Sequence, residues 1–233
     1  MRLAIMQPYF FPYIGYFQLM AAVDHFLIHD DVQWIKGGWI NRNRISVHGR
    51  EQMLTLPVES GGNNGLICNR KLAADFDRQR ERMLRLIREA YQRAPQFEAV
   101  YDLVHSIMHH ATENACDLIV HSLRQTASFL GLRASTSRSS EVAKDESLKA
   151  EDRVLELCRL FRTDHYINPI GGVELYSRHR FEEQGIRLSF LKAGITEYRQ
   201  FRLPFLPSLS MLDVMMFNSP EQVRAILAVY ELQ

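Results

Sequence analysis

Apolar and polar positions along this chain follow two periods in turn. Leu3 to Met6 is a short unbroken apolar run, as expected of a strand buried on both faces, and Gln7-Pro8 ends it. An aromatic, proline-broken turn covers Tyr9 to Tyr13. Gly15 then opens a helical pattern carried by Tyr16, Leu19, Met20 and Val23. A second apolar run, His25 to His29, leads into Asp30 and Asp31. Strand, turn, helix and strand at this length predict a βαβ unit. Residues 39–59 read as two short strands around the turn His48-Gly49, the first holding Asn41, Arg42, Asn43 and Arg44. The loop SGGNNG at 60–65 is rich in residues that tolerate positive φ; it reads as a connection, with a mobile lid as the functional alternative.

Helical periodicity then takes over. Asp75–Ala94 predicts an amphipathic helix buried through Phe76, Met83, Leu84, Ile87 and Tyr91 and stopped by Pro95. Two more helices follow, from Phe97 to about Glu113 and from Asn114 to Leu130, the second closed by Gly131. The polar, serine-rich stretch 134–147 reads as a linker into a further helix, about Glu151–Phe161. The α/β rhythm returns with a strand at His165–Asn168, a turn at 169–172, a helix at Val173–Gln184 and a strand at Ile186–Leu191. A loop and helix from FLPSLSMLDVMMFN and a final helix over Pro220–Leu232 complete the pattern. The fold class is therefore α/β: an open, mostly parallel, Rossmann-like sheet of five strands. Residues 1–74 and 163–233 form the core, and 75–162 are an inserted helical subdomain.

Composition narrows the function classes. The net charge of +1 over 233 residues gives no global attraction to nucleic acid or anionic membrane. Arginine supplies 23 of the 28 basic residues. Cys68, Cys116 and Cys158 are odd in number, far apart and form no CxxC, which points to a reducing cytosol. The early apolar run is short and broken by Pro8 and Pro12, unlike a signal peptide, and no run approaches the ~18 apolar residues of a membrane span. A cytoplasmic location is the expectation.

Ligands of parallel sheets bind at the carboxyl ends of strands, where Gln7, Asp30 and Asp31 fall. Paired carboxylates can hold Mg²⁺ or an amino group, or can simply end the strand in an Asx turn. Arg42 and Arg44 alternate on one strand face and could clamp a diphosphate or carboxylate, with Lys36 nearby. Ser210 and Asp213 fit an S-x-x-D helix start, with Ser208 just before it. Asn168, Gly171, Gly172 and Tyr176 form another strand-to-helix turn where a ligand could approach the backbone. His105, His109 and Glu113 are spaced i, i+4, i+8, but lack an HExxH context, so no metal site is expected. Arg78, Arg82 and Arg85 make the one basic face that could meet RNA.

The segments QPYFFPYIGYFQLM, DDVQWIK, WINRNRI and SLSMLDVMMFN resemble the WbqC-like family of bacterial surface-polysaccharide gene clusters, over residues 1 to about 220. The resemblance implies a role in O-antigen or related glycan assembly, with glycine transfer as a suggested activity. The turn Tyr13-Ile14-Gly15-Tyr16 also stands where nucleotidylyltransferases and pantothenate synthetase carry His-x-Gly-His; the glycine is kept and both histidines are absent. By that analogy ATP and Mg²⁺ would activate a small acyl group, such as glycyl, for transfer to a sugar-linked amine or hydroxyl. Gln7, Tyr13, Gly15, Tyr16, Ser208 and Ser210 would hold the nucleotide, Asp30, Asp31 and Lys36 would act in catalysis, and Arg42 and Arg44 would neutralise charge. The partners are then a small molecule, a sugar nucleotide or a lipid-linked sugar; nucleic acid is disfavoured, with aminoacyl-tRNA left open. The competing reading is a non-catalytic partner of a glycosyltransferase that binds a sugar nucleotide or glycan on its aromatics.

Overall fold

The computed structural model describes residues 1–59 and 65–233, so the loop expected at 60–65 lies, Gly65 excepted, outside the described residues. The first half contains β1 (Arg2–Met6), α1 (Ile14–Ala22), β2 (His25–Ile28), β3 (Arg42–Val47) and β4 (Arg50–Thr55). Then come α2 (Phe76–Tyr91), α3 (Phe97–Met108), α4 (Ala115–Phe129), β5 (Ser135–Arg138) and α5 (Ala150–Leu160). The last third contains β6 (His165–Pro169), α6 (Arg178–Glu183), β7 (Arg187–Ala193), α7 (Met211–Phe217), α8 (Pro220–Leu227) and β8 (Tyr230–Leu232).

The sheet has six strands in the order β5-β2-β1-β6-β7-β8. All neighbours are parallel except β7 and β8. The chain winds outward from β1 in both directions, so the strand order reverses between β1 and β6. Alternation along the strands feeds two cores. Leu3, Ile5, Leu27, Tyr166, Leu188 and Phe190 meet α5 and α6 on one face. Ala4, Phe26, Ile28, Ile167 and Leu191 meet α1, α4, α7 and α8 on the other. Helix α1 is buried along its whole length apart from Ala21, because it lies between the sheet and α8. The expected hairpin is present as a separate antiparallel pair, β3–β4, turning at His48 and Gly49.

Several expectations need correction. The sheet has six strands rather than five. The serine-rich stretch read as a linker contains β5, the sheet's polar edge. Its residues, STSR, show no apolar alternation because they are held by polar contacts. The His25 ring reaches Ser135 Oγ at 2.6 Å and Ser137 Oγ at 2.8 Å. Residues 75–162 thus supply a strand of the main sheet as well as α2 to α5. The helix expected at 173–184 is a 3₁₀ turn, Ile170–Leu175, followed by the short α6. The helix expected to run to Leu232 stops at Leu227, and the chain turns back as β8 to cover the edge of β7.

The turn into β8 depends on a buried amide. Gln18 has no exposed surface, and its Nε2 donates to the carbonyls of Val229 (2.7 Å), Gly194 (3.0 Å) and Ile226 (3.2 Å). Gly194 is required beside it: a Cβ there would stand 2.3 Å from the Val229 carbonyl oxygen. We expect Gln18→Leu to strand these carbonyls at a cost of about 1–3 kcal/mol. A urea midpoint equal to that of the parent would contradict this.

Candidate functional site

Asp30 and Asp31, at the carboxyl end of β2, enter a dense charge cluster. Asp30 has no exposed surface. Its Oδ2 accepts from Arg138 Nε at 2.6 Å and Ser140 Oγ at 2.8 Å. Its Oδ1 accepts from the Ser140 N–H at 3.0 Å and Ser139 Oγ at 3.3 Å. Arg138 continues to Asp117. Asp31 pairs with Lys144 at 2.6 Å and lies 3.7 Å from both Arg153 and the His29 ring. Burial opposes ionisation of Asp31, but hydrogen bonds from Lys144 and Ser139, with the charge of Arg153, hold its pKa below the ordinary value. Both carboxylates are thus answered by cations of the chain itself. A Mg²⁺ ion here would have to displace Arg138 and Lys144, so this arrangement does not fit a metal site. The same burial lowers the His29 pKa to about 4, the Asp31 charge only partly offsetting it.

A different set of residues forms a cleft of about 260 Å³: Tyr9, Pro12, Tyr13, Trp39, Asn43, Arg44 and Ser208. Backbone hydrogen bonds fasten its walls together. The Phe10 N–H donates to the Ile40 carbonyl (2.8 Å), that of Ser210 to Arg44 (2.7 Å) and that of Met211 to Pro12 (2.8 Å). Arg44 lies 5.5 Å from the Trp39 ring centroid and pairs with Glu51 at 2.9 Å. Its Nη2 donates to the Ser208 carbonyl at 3.4 Å, while its buried Nε has no partner among the described residues. Burial raises the pKa values of Tyr9 and Tyr13, so both act as neutral hydrogen-bonding phenols and not as bases. Phe11 (φ 40°) and Ser208 (φ 55°) flank the cleft in the left-handed region. Such strain costs roughly 1–3 kcal/mol per residue and clusters at ligand sites.

The structure brings together Tyr13, Arg44 and Ser208 from the residues singled out in the sequence. The others fall elsewhere. Arg42 shares the strand face of Arg44 but donates to the Gly38 carbonyl at 3.0 Å and to Gly37, bracing the turn before β3. Gln7 and Lys36 line an open recess with Trp34. Tyr16 is a core residue whose hydroxyl donates to the Gln7 carbonyl at 3.0 Å. The Tyr13 ring lies over Gly15, where a Cβ would meet it at 2.5 Å. Ser210 is buried; it caps α7 and donates to the Phe11 carbonyl at 2.7 Å. Asn168 is buried and accepts from the Tyr166 hydroxyl at 3.2 Å, and a side chain on Gly172 would overlap it. Tyr176 packs edge-on to Tyr166 and Phe181, and Gly171 has open space around it.

Helix α3 ends at Met108, so Glu113 leaves the face of His105 and His109, whose rings stack at 4.1 Å. No group of three or more metal-ligating residues occurs among the described residues. Arg78, Arg82 and Arg85 are exposed on α2, Arg78 paired with Asp75. No helix among the described residues is long and apolar enough to cross a membrane. Sequence reasoning placed Tyr9 and Trp39 only as the ends of an aromatic stretch that could stack on sugars or bases, and missed Arg138, Lys144 and Arg153 as partners of the aspartates. The aromatic density of residues 9–39 was the available signal for Tyr9 and Trp39.

An open, mostly parallel sheet with helices on both faces defines an α/β protein, and an aromatic, arginine-lined cleft is its candidate site. The chain belongs to the WbqC-like protein family, whose model matches residues 7–225. It is similar to Uncharacterized protein Rv1507c of Mycobacterium tuberculosis (strain ATCC 25618 / H37Rv), at 29% identity over 221 residues, covering 93% of each chain. No solved structure matches it significantly.

The charge cluster makes two predictions. Arg138→Met leaves Asp30 buried without its cation and is expected to cost about 3–5 kcal/mol in denaturant unfolding. His29 supplies a pH dependence. Its folded pKa lies below the unfolded value of 6.5, so its contribution is complete above 6.5 and is lost as pH falls towards about 4. The loss amounts to about 3 kcal/mol. His29→Asn should flatten that limb of the stability–pH curve; an unchanged curve would assign the dependence to other groups.

Proposed function

We propose that this protein binds a sugar or sugar nucleotide in the cleft of Tyr13, Trp39 and Arg44 and serves the assembly of a bacterial surface polysaccharide in the cytoplasm. The observation that carries this reading is the pairing of flat aromatic walls with a guanidinium whose buried Nε lacks a partner among the described residues. Aromatic faces take up the apolar faces of a sugar or a base. The fork of Arg44 suits a phosphate or carboxylate. The volume of about 260 Å³ fits a ligand the size of a monosaccharide. Family membership supports the polysaccharide setting.

One observation favours a second reading, in which the bound sugar is also a substrate. Glu51, paired with Arg44, places a carboxylate next to the cleft. In that reading an amine or hydroxyl of the sugar attacks the carbonyl of a glycyl or other small acyl adenylate, Glu51 takes the proton, and the acyl–phosphate bond breaks to release AMP. ATP would be the activating reagent. ATP–pyrophosphate exchange across a panel of amino acids separates the readings, since a binding protein gives none.

Trp39→Ala and Arg44→Met should each weaken sugar-nucleotide binding about tenfold, the equivalent of about 1.4 kcal/mol. Calorimetric titration with a panel of sugar nucleotides measures this. Equal affinity in both variants would remove the cleft from ligand binding.

A further inference from the structure

The loop between β7 and α7 ends in a tip that the sugar-binding reading does not use. Phe201, Arg202, Leu203 and Pro204 are all exposed, Leu203 at 91% and Phe201 at 50%. The loop beneath them is firmly built. Tyr198 donates to Asp213 at 2.7 Å and Gln200 Nε2 donates to it at 2.9 Å. Gln200 also holds both the N–H and the carbonyl of Leu206. The Phe201 ring meets Phe217 edge-on at 4.8 Å. The apolar tip is therefore held out in water by a base that orients it.

Beside the tip is a second cleft, of about 240 Å³, between the β3–β4 turn and the end of α2. Arg93, Arg202, His48 and Glu89 are among the side chains that line it. Arg202 packs against Gly49, next to Arg50. Arg50, Arg93, Arg199 and Arg202 are exposed and have no ion-pair partner among the described residues. They outnumber the nearby carboxylates Glu89, 3.2 Å from His48, Glu51, paired with Arg44, and Glu197.

We propose that this tip docks the protein onto an anionic phospholipid surface. Phe201 and Leu203 enter the boundary between headgroups and acyl chains, and the surrounding guanidiniums meet lipid phosphates. A bilayer needs only apolar side chains ringed by cations. A protein partner would need a complementary surface of roughly 1,000 Å², which four tip residues cannot supply. The attraction is local, since the whole chain carries only +1. The inference does not depend on sugar binding, although Arg44 of the first cleft and Ser46 of the second lie on the same face of β3.

The test is flotation of the full chain with phosphatidylcholine vesicles and with mixed phosphatidylglycerol–phosphatidylcholine vesicles. Binding is expected to the mixed vesicles only, and to fall as sodium chloride is added. Arg93→Gln with Arg202→Gln should weaken it more than tenfold, at about fivefold per arginine. Leu203→Ser, at a side chain too exposed to affect folding, should weaken it about tenfold. Inorganic phosphate should compete no better than chloride of equal ionic strength. Absence of binding to mixed vesicles, full binding by these variants, or selective competition by phosphate would each overturn the proposal.

Discussion

A carboxylate with no exposed surface must be met by a cation and by hydrogen-bond donors, or its burial is costly to the fold. Asp30 meets this demand through Arg138, Ser139 and Ser140, and the consequences reach across the sheet. β5 has almost no apolar side chains with which to hold its place. Its position beside β2 comes from the ladder, from the His25–serine contacts and from this ion pair. Asp31 repeats the arrangement one residue on. By engaging Lys144 and Arg153 it draws the segment after β5, and then α5, over the opposite face of the sheet. Two adjacent aspartates thus determine how about twenty residues of polar chain are laid down.

The fold was legible wherever hydrophobic period carried it. β1, α1, β2, the β3–β4 hairpin, α2 and β7 follow from runs and alternations visible in the sequence, because burial is what those elements consist of. β5 was illegible for the opposite reason: Ser135 to Arg138 are chosen for hydrogen bonding and charge, and such residues look the same in a linker. β8 was hidden behind the helical pattern of Val223, Ile226 and Leu227, and the signal that ends it is Gln18, more than two hundred residues away.

The site was half legible. Residue types with evident chemistry were found, but sequence could not say which of them were already occupied by the protein. Asp30 and Asp31 look like ligands to a metal until their cations, over a hundred residues later, are seen in place. Gly15 looks like a phosphate-loop glycine until the Tyr13 ring is found against it. Arg42 and Arg44 are equivalent on paper, yet one is engaged by turn carbonyls and the other faces a cleft. What distinguishes them is partnering, distant for Asp30 and Asp31 and local for Gly15 and Arg42, which residue types alone do not encode.

Asp213 accepts from Tyr91, Tyr198 and Gln200, and Tyr91 also takes the Ser46 N–H from β3. No cation contacts this carboxylate among the described residues, and burial raises its pKa. It joins β3 to the loop before α7, and these two elements supply facing walls to both clefts. That oxygen pair is one tie between the walls, beside the direct hydrogen bonds from Ser210 to Arg44 and from Arg44 to Ser208. Displacing either wall stretches hydrogen bonds that both clefts share. In thermodynamic terms any two occupants that moved these walls would be linked, each altering the affinity for the other by the same factor.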